Sequence, residues 1–268
     1  TADTRTFLSE PANLQLYGPG SIRPYMKNIG IVCEGPTDFI ILRDIIDTIT
    51  GENHYYVQLQ PEPDLTGKYG TGWKGVWKWC QEHADDKKRY MKEIEPILDL
   101  LVIHMDGDVS RKEREVHCGC ESVQCQRRGQ YFPLDCENEK EFLQFCPIVM
   151  PCKKHEESVK GYIDHLEKLI QVQLKDLDET CIAIPCDSIE AWIVAAYDQI
   201  PESEKIENPW VNCIARGKQY HDIRIKGTKK RQKVFQELSK QVCEQWERVT
   251  TLCMSANKTV RISFHRLP

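Results

Sequence analysis

The chain has no run of about 18 apolar residues, the length that would span a bilayer, and no basic-then-apolar leader at its start. No membrane association and a cytoplasmic location are therefore expected. It has no Gly-x-x-x-x-Gly-Lys-Ser/Thr sequence, so any ATPase function must come from a separate subunit. Positive charge is not in excess, since 36 Lys and Arg stand against 41 Asp and Glu, a formal net charge of −5. That balance argues against uniform coating of nucleic acid and leaves room for a local basic patch. Internal repeats and low-complexity segments are also lacking. What remains is an ordinary globular composition of 268 residues, 40% hydrophobic and 29% charged, able to bury a normal core.

The pattern along the chain predicts alternating strands and helices. Residues 1–27, with Pro11, Pro19, Pro24, Gly18 and Gly20, read as an irregular arm. A first strand is expected at 29–33 and a helix at about 38–49, with Thr37 as N-cap and Gly51 closing it. Further strands are expected at 55–59, 97–104 and 181–184. Helices are expected at about 73–91 and 156–174, and another after an Asp187 or Ser188 cap. Two more, at about 205–217 and 229–250, fill a helical, basic C-terminal region, 201–268. The fold class is α/β, a mostly parallel sheet with helices on both faces. Residues 28–200 form its main domain, interrupted by an insertion at about 109–152.

Two of the predicted strands end in pairs of acids. The first runs Ile29-Gly30-Ile31-Val32-Cys33-Glu34-Gly35-Pro36-Thr37-Asp38. The second runs Leu100-Leu101-Val102-Ile103-His104-Met105-Asp106-Gly107-Asp108. Short apolar runs of this kind suit buried parallel strands. The carboxyl ends of such strands open on the crevice where open α/β sheets bind ligands. Glu34, Asp38, Asp106 and Asp108 are expected to converge there. Four carboxylates repel one another unless a cation joins them, and Mg²⁺ or Mn²⁺ suits oxygen ligands. Glu190, after the fourth strand, is the candidate for a second ion. Two such ions, roughly 4 Å apart, activate water and offset charge on a leaving oxygen in phosphodiester hydrolysis. Gly35 and Gly107 would let backbone approach the ion or phosphate. The plain alternatives are helix-cap acids for the first pair and turn residues for the second; for Glu190 it is a first-turn acid.

Glu34, Gly35, Thr37 and Asp38 followed by Asp106 and Asp108 resemble the TOPRIM domain of topoisomerases, bacterial primases, small ribonucleases and OLD-family nucleases. The resemblance covers roughly 28–108 and extends to 198. Pro185 with Glu190-Ala191-Trp192 resembles the signature of stand-alone TOPRIM proteins of bacterial defence or mobile loci. The resemblance implies a Rossmann-like TOPRIM fold and a Mg²⁺- or Mn²⁺-dependent endonuclease acting on DNA or RNA, in an antiviral setting. It also implies a lysine near the metals, for which Lys226 or Lys229 stands nearest by sequence, and a possible partner ATPase. There is no room for a topoisomerase cleavage domain.

Thirteen cysteines are many. Cys33, Cys80, Cys181 and Cys243 fall inside predicted elements and read as small buried hydrophobes. The insertion gathers others. Cys118, Cys120, Cys125 and Cys136 are expected to hold one structural Zn²⁺, with His117, Cys146 or Cys152 as substitutes. An insertion poor in apolar residues gains its folding energy from such an ion. Free surface thiols are the alternative.

Six basic residues and no acid lie between Arg224 and Lys233. Such a run is an electrostatic footprint for nucleic-acid phosphates, or else a solvated helix face. Arg111, Lys112, Arg114, Arg127 and Arg128 form a second basic group. Trp73, Trp77 and Trp79 read as core residues in preference to a base-stacking platform. His104, two before Asp106 in a strand, shares its side and suits an outer partner to the acids. The function expected from all this is metal-dependent phosphodiester hydrolysis, with nucleotidyl transfer at the same site as a close rival. The rival from another class is a non-catalytic module that binds nucleic acid or a partner ATPase.

Overall fold

Apolar side chains alternate along the first strand, β1 (Asn28–Val32): Ile29, Ile31 and the following Cys33 face one core, Val32 the other. β3 (Leu100–His104) repeats this, with Leu100 and Val102 on one face and Leu101 and Ile103 on the opposite one. Strands buried on both faces need helices on both sides. A computed structural model describes residues 26–62, 68–110, 159–206, 208–217 and 219–263. In it β2 (Tyr55–Gln60), β1, β3 and β4 (Thr180–Ala183) form a four-stranded sheet in the order β2-β1-β3-β4, parallel throughout. This is the α/β architecture the sequence predicts, with no helix among the described residues long and apolar enough to cross a membrane.

One face carries α1 (Pro36–Thr50), α5 (Glu190–Asp198) and α7 (Gln232–Glu244). α5 is apolar all round, with Ala191 to Ala196 at 0% exposure, as a helix enclosed by others must be. α7 is amphipathic and turns Val234, Phe235, Leu238 and Val242 inward. α8 (Trp246–Leu252) and α9 (Met254–Ser263) follow it. The other face carries α2 (Gly72–Glu82), α3 (Lys87–Glu93) and α4 (Val159–Leu174).

Several local expectations are revised. Gly35, not Thr37, is the N-cap residue of α1, because Pro36 takes the first helical position, where its missing N–H costs nothing. Gly51 does close α1, at φ 70°, its amide donating to the Asp47 carbonyl at 2.9 Å. The single helix expected over 73–91 is two. The His83 ring lies between Trp79 and Tyr90, with centroids 4.5 and 4.2 Å away, and contacts Asp86, breaking the helix there. The helix expected at 205–217 is a short 3-10 turn (Ser203–Lys205) and α6 (Trp210–Ala215), followed by a small hairpin of β5 (Gln219–Tyr220) and β6 (Ile223–Arg224). Cys33, Cys80 and Cys181 are buried and Cys243 is half-buried. Residues 1–25 of the arm, the proposed zinc ligands Cys118, Cys120, Cys125 and Cys136, and the basic group at 111–128 lie outside the described residues.

Candidate functional site

The sheet delivers its acids to one end. Glu34 follows β1, and Asp38 sits in the first turn of α1, 4% exposed. Asp106 follows β3, 7% exposed, and Glu190 opens α5 after β4, fully buried. Because β1, β3 and β4 are adjacent and parallel, their carboxyl ends coincide. The contact between the first two acid groups is direct: Glu34 Oε1 accepts the Asp106 amide at 2.8 Å. Asp106 Oδ1 accepts the Ile189 amide at 3.2 Å, tying the end of β3 to the start of α5.

That last bond revises the expected cap of α5. The donor before the helix is met by a carboxylate 83 positions earlier in the chain. Asp187 instead accepts the Asn208 amide on Oδ2 at 3.1 Å. Its carbonyl receives the Asp108 amide at 2.6 Å. Asp108 is half-buried in a 3-10 turn, Gly107–Ser110. Gly107 serves a close backbone packing here. A Cβ there would stand 1.7 Å from the Cys186 carbonyl oxygen and 2.5 Å from that of Pro185.

Burial of several acids together has electrostatic consequences. Burial, and then the Glu190 charge, push Asp38 up to about 7. Asp106 is driven well above the ordinary carboxylate range by burial and by Glu34, Asp38 and Glu190 in turn. Among the described residues, Lys230 answers them. Lys230 Nζ lies 2.5 Å from Glu190 Oε1. Its side chain keeps 38% of its surface exposed, yet its ammonium reaches a carboxylate with none. Burial opposes the charge on Lys230, but Glu190, Asp106 and Asp38 outweigh it and hold the ammonium more firmly protonated than usual. The pair is a close ion pair between a partly exposed ammonium and a fully buried carboxylate.

His104 lies beneath the acids, fully buried, its Nε2 3.6 Å from Asp106 Oδ1. That is too long for a hydrogen bond. Burial, assisted by Lys230, pushes the imidazole down to about 3, so it is neutral and forms no ion pair. Neither ring nitrogen has a hydrogen-bond partner among the described residues.

The structure thus joins Glu34, Asp38, Asp106 and Glu190, with Asp108 in the adjoining turn. Lys226 and Lys229, the lysines nearest by sequence pattern, are exposed; Lys230 reaches the acids. Nothing in the basic run singles out position 230, because the choice depends on how the segment before α7 crosses α5. Carboxylate oxygens in this number suit a hard divalent cation in charge and chemistry. As the side chains stand, no three His, Cys, Asp or Glu groups among the described residues are disposed to hold a metal ion. No family model matches this sequence, and no curated protein or solved structure is significantly similar to it.

Proposed function

We propose that this protein is a metal-dependent phosphodiesterase of the TOPRIM nuclease type, acting on DNA or RNA. The observation that carries the reading is the convergence of Glu34, Asp38, Asp106 and Glu190 at three adjacent strand ends, with Lys230 as their compensating cation among the described residues. A fold does not gather buried carboxylates for stability, because each costs desolvation and repels its neighbours. Such arrangements are typical of functional sites. Glu34, Asp106 and Glu190 are the candidate ligands for Mg²⁺ or Mn²⁺, with Asp38 beside them. A bound divalent cation would lower the pKa of an attacking water and offset charge on the leaving oxygen.

The chain's own groups do the rest. Lys230 faces the same acids and is available to a phosphate once a cation takes over its pairing with Glu190. Neutral His104 lies next to Asp106 without adding charge. The exposed Lys226, Lys229 and Arg231 give a polyanion a favourable approach to an acidic site. Antiviral defence, a separate ATPase subunit and a structural Zn²⁺ on Cys118, Cys120, Cys125 and Cys136 belong to the same proposal.

One observation favours a second reading. Lys230 already partly neutralises the acids, and they are not disposed as a ligand set. A non-catalytic module binding nucleic acid or a partner ATPase would need no more. The two readings separate in one experiment. The pure protein is incubated with plasmid, single-stranded DNA and tRNA, in Mg²⁺ or Mn²⁺ and in chelator. Cleavage that requires the cation and is lost in Asp106→Asn is expected. Asn keeps an acceptor for the Ile189 amide, so the fold should survive, as circular dichroism will check. No cleavage of any substrate, or equal cleavage by the variant, would favour the module.

A further inference from the structure

Five of the six tryptophans are shut away: Trp77, Trp79, Trp192, Trp210 and Trp246 keep 7% or less of their surface. Trp73 differs. It packs on the core formed with α2 and α4, yet remains only half-buried. Lys74 is exposed, and its Nζ stands 5.6 Å from the centre of a Trp73 ring, within cation–π reach.

The position of this pair is tied to the acids. The Gly72 amide donates to the Glu34 carbonyl at 2.9 Å. A Cβ on Gly72 would lie 4.0 Å from Glu34 Oε2. Trp73 is the next residue, one Cα step of about 3.8 Å further. The loop before it is held as well, by Gln60 Nε2 donating to the Gly70 carbonyl at 2.6 Å. Gly70 and Gly72 have φ of 78° and 74°, a region that side-chain-bearing residues rarely adopt. The backbone at Trp73 is thus held next to the first acid, with its half-buried ring and the exposed Lys74 ammonium paired there.

Indole faces stack on nucleobases, and a neighbouring cation meets the phosphate of the same nucleotide. Bases within a duplex already stack on their neighbours, so an unpaired base offers free faces that a paired one inside the duplex does not. We propose that Trp73 and Lys74 form a stacking site for an unpaired base close to the acidic cluster, making single-stranded nucleic acid the substrate class. This rests on the phosphodiesterase reading and narrows it.

The test uses the full chain in chelator, where no turnover occurs. Short oligothymidylate, the same strand with abasic residues, and a duplex of equal length are titrated in turn. Tryptophan fluorescence reports stacking, and anisotropy of a labelled strand reports binding. With five indoles buried, quenching reports Trp73. Oligothymidylate should quench, while the abasic strand and the duplex should not. Trp73→Ala should weaken oligothymidylate binding about 5- to 150-fold, the range for loss of one stacked base, and Trp73→Phe should restore most of it. Lys74→Ala should flatten the salt dependence by about 0.7, the share of one phosphate on a single strand. Binding without quenching, duplex binding as tight as single-strand binding, or Trp73→Ala and Trp73→Phe both indistinguishable from wild type would overturn the site. If Trp73→Ala fails to fold, quenching in the unaltered protein and the Phe variant decide. Quenching without cleavage in Mg²⁺ or Mn²⁺ would count against the phosphodiesterase reading and leave the stacking site standing. Cleavage without quenching would do the reverse.

Discussion

At the scale of single residues, Asp38 shows how the site strains the fold. Its carboxyl is raised from the ordinary 3.8 to about 7 by burial and by Glu190. A buried acid with a raised pKa binds its proton more tightly folded than unfolded, so stability falls as pH rises between those two values. Asp38→Asn removes the charge and keeps the shape. In cation-free buffer it should melt with wild type near pH 4 and gain progressively up to about pH 7, with no further gain above. Three units correspond to a ceiling on the order of 4 kcal/mol. Thermal melts across this range check it, and a lead that stays constant with pH would show that Asp38 does not ionise at a shifted value. Lys230 carries the opposite role: its ammonium, 2.5 Å from Glu190 Oε1, relieves the repulsion among the acids.

Between elements, the link that matters joins the ends of β3 and β4. The Gly107 amide donates to the Pro185 carbonyl at 3.0 Å, the Asp108 amide to the Asp187 carbonyl, and the Asp106 carboxylate accepts from Ile189. These bonds set Asp106 and Glu190 in one register. They require the two backbones to touch where a Cβ at 107 would overlap the Cys186 carbonyl. Backbone cannot rotate away as a side chain can, so Gly107→Ala must push the turns apart. We expect it to cost about 3 kcal/mol, the upper part of the usual overpacking range, and to lower cation affinity together with stability. Chemical denaturation and calorimetric titration with Mn²⁺ check the two effects. A variant as stable as wild type would mean that the turn adapts and does not set the site.

Over the whole molecule, charge is distributed unevenly. The net charge is −5 and the acids concentrate at one sheet end, while Lys226, Lys229 and Arg231 stand exposed beside them. A polyanion reaching the acids needs such a strip. Neutralising these three residues should weaken binding across all sequences alike and flatten the slope of log K against log salt by about two to three, since each phosphate contact contributes about 0.7–0.9. Filter binding over a salt series measures it. An unchanged slope would assign the strip to solvent or to a protein partner.

The α/β class, the parallel strands, the helix faces and the acids at strand ends were legible from the sequence, because they follow from local periodicity and from the positions of Gly and Pro. Glu34, Asp38 and Asp106 could be picked out since each stands within a few residues of a recognisable strand. The break at His83 was not legible, because it depends on ring packing between two helices. The hairpin at 219–224 was not legible either, because two-residue strands leave no period to read. Asp106 as the acceptor for Ile189, Gly107 as a backbone contact, and Lys230 in preference to its basic neighbours all involve partners far apart in the chain. Those choices belong to the tertiary structure, for a physical reason: interactions within a helical turn or a strand are set by neighbours a few residues away, whereas the charge balance of a buried cluster is set by whichever distant side chain the packing carries to it.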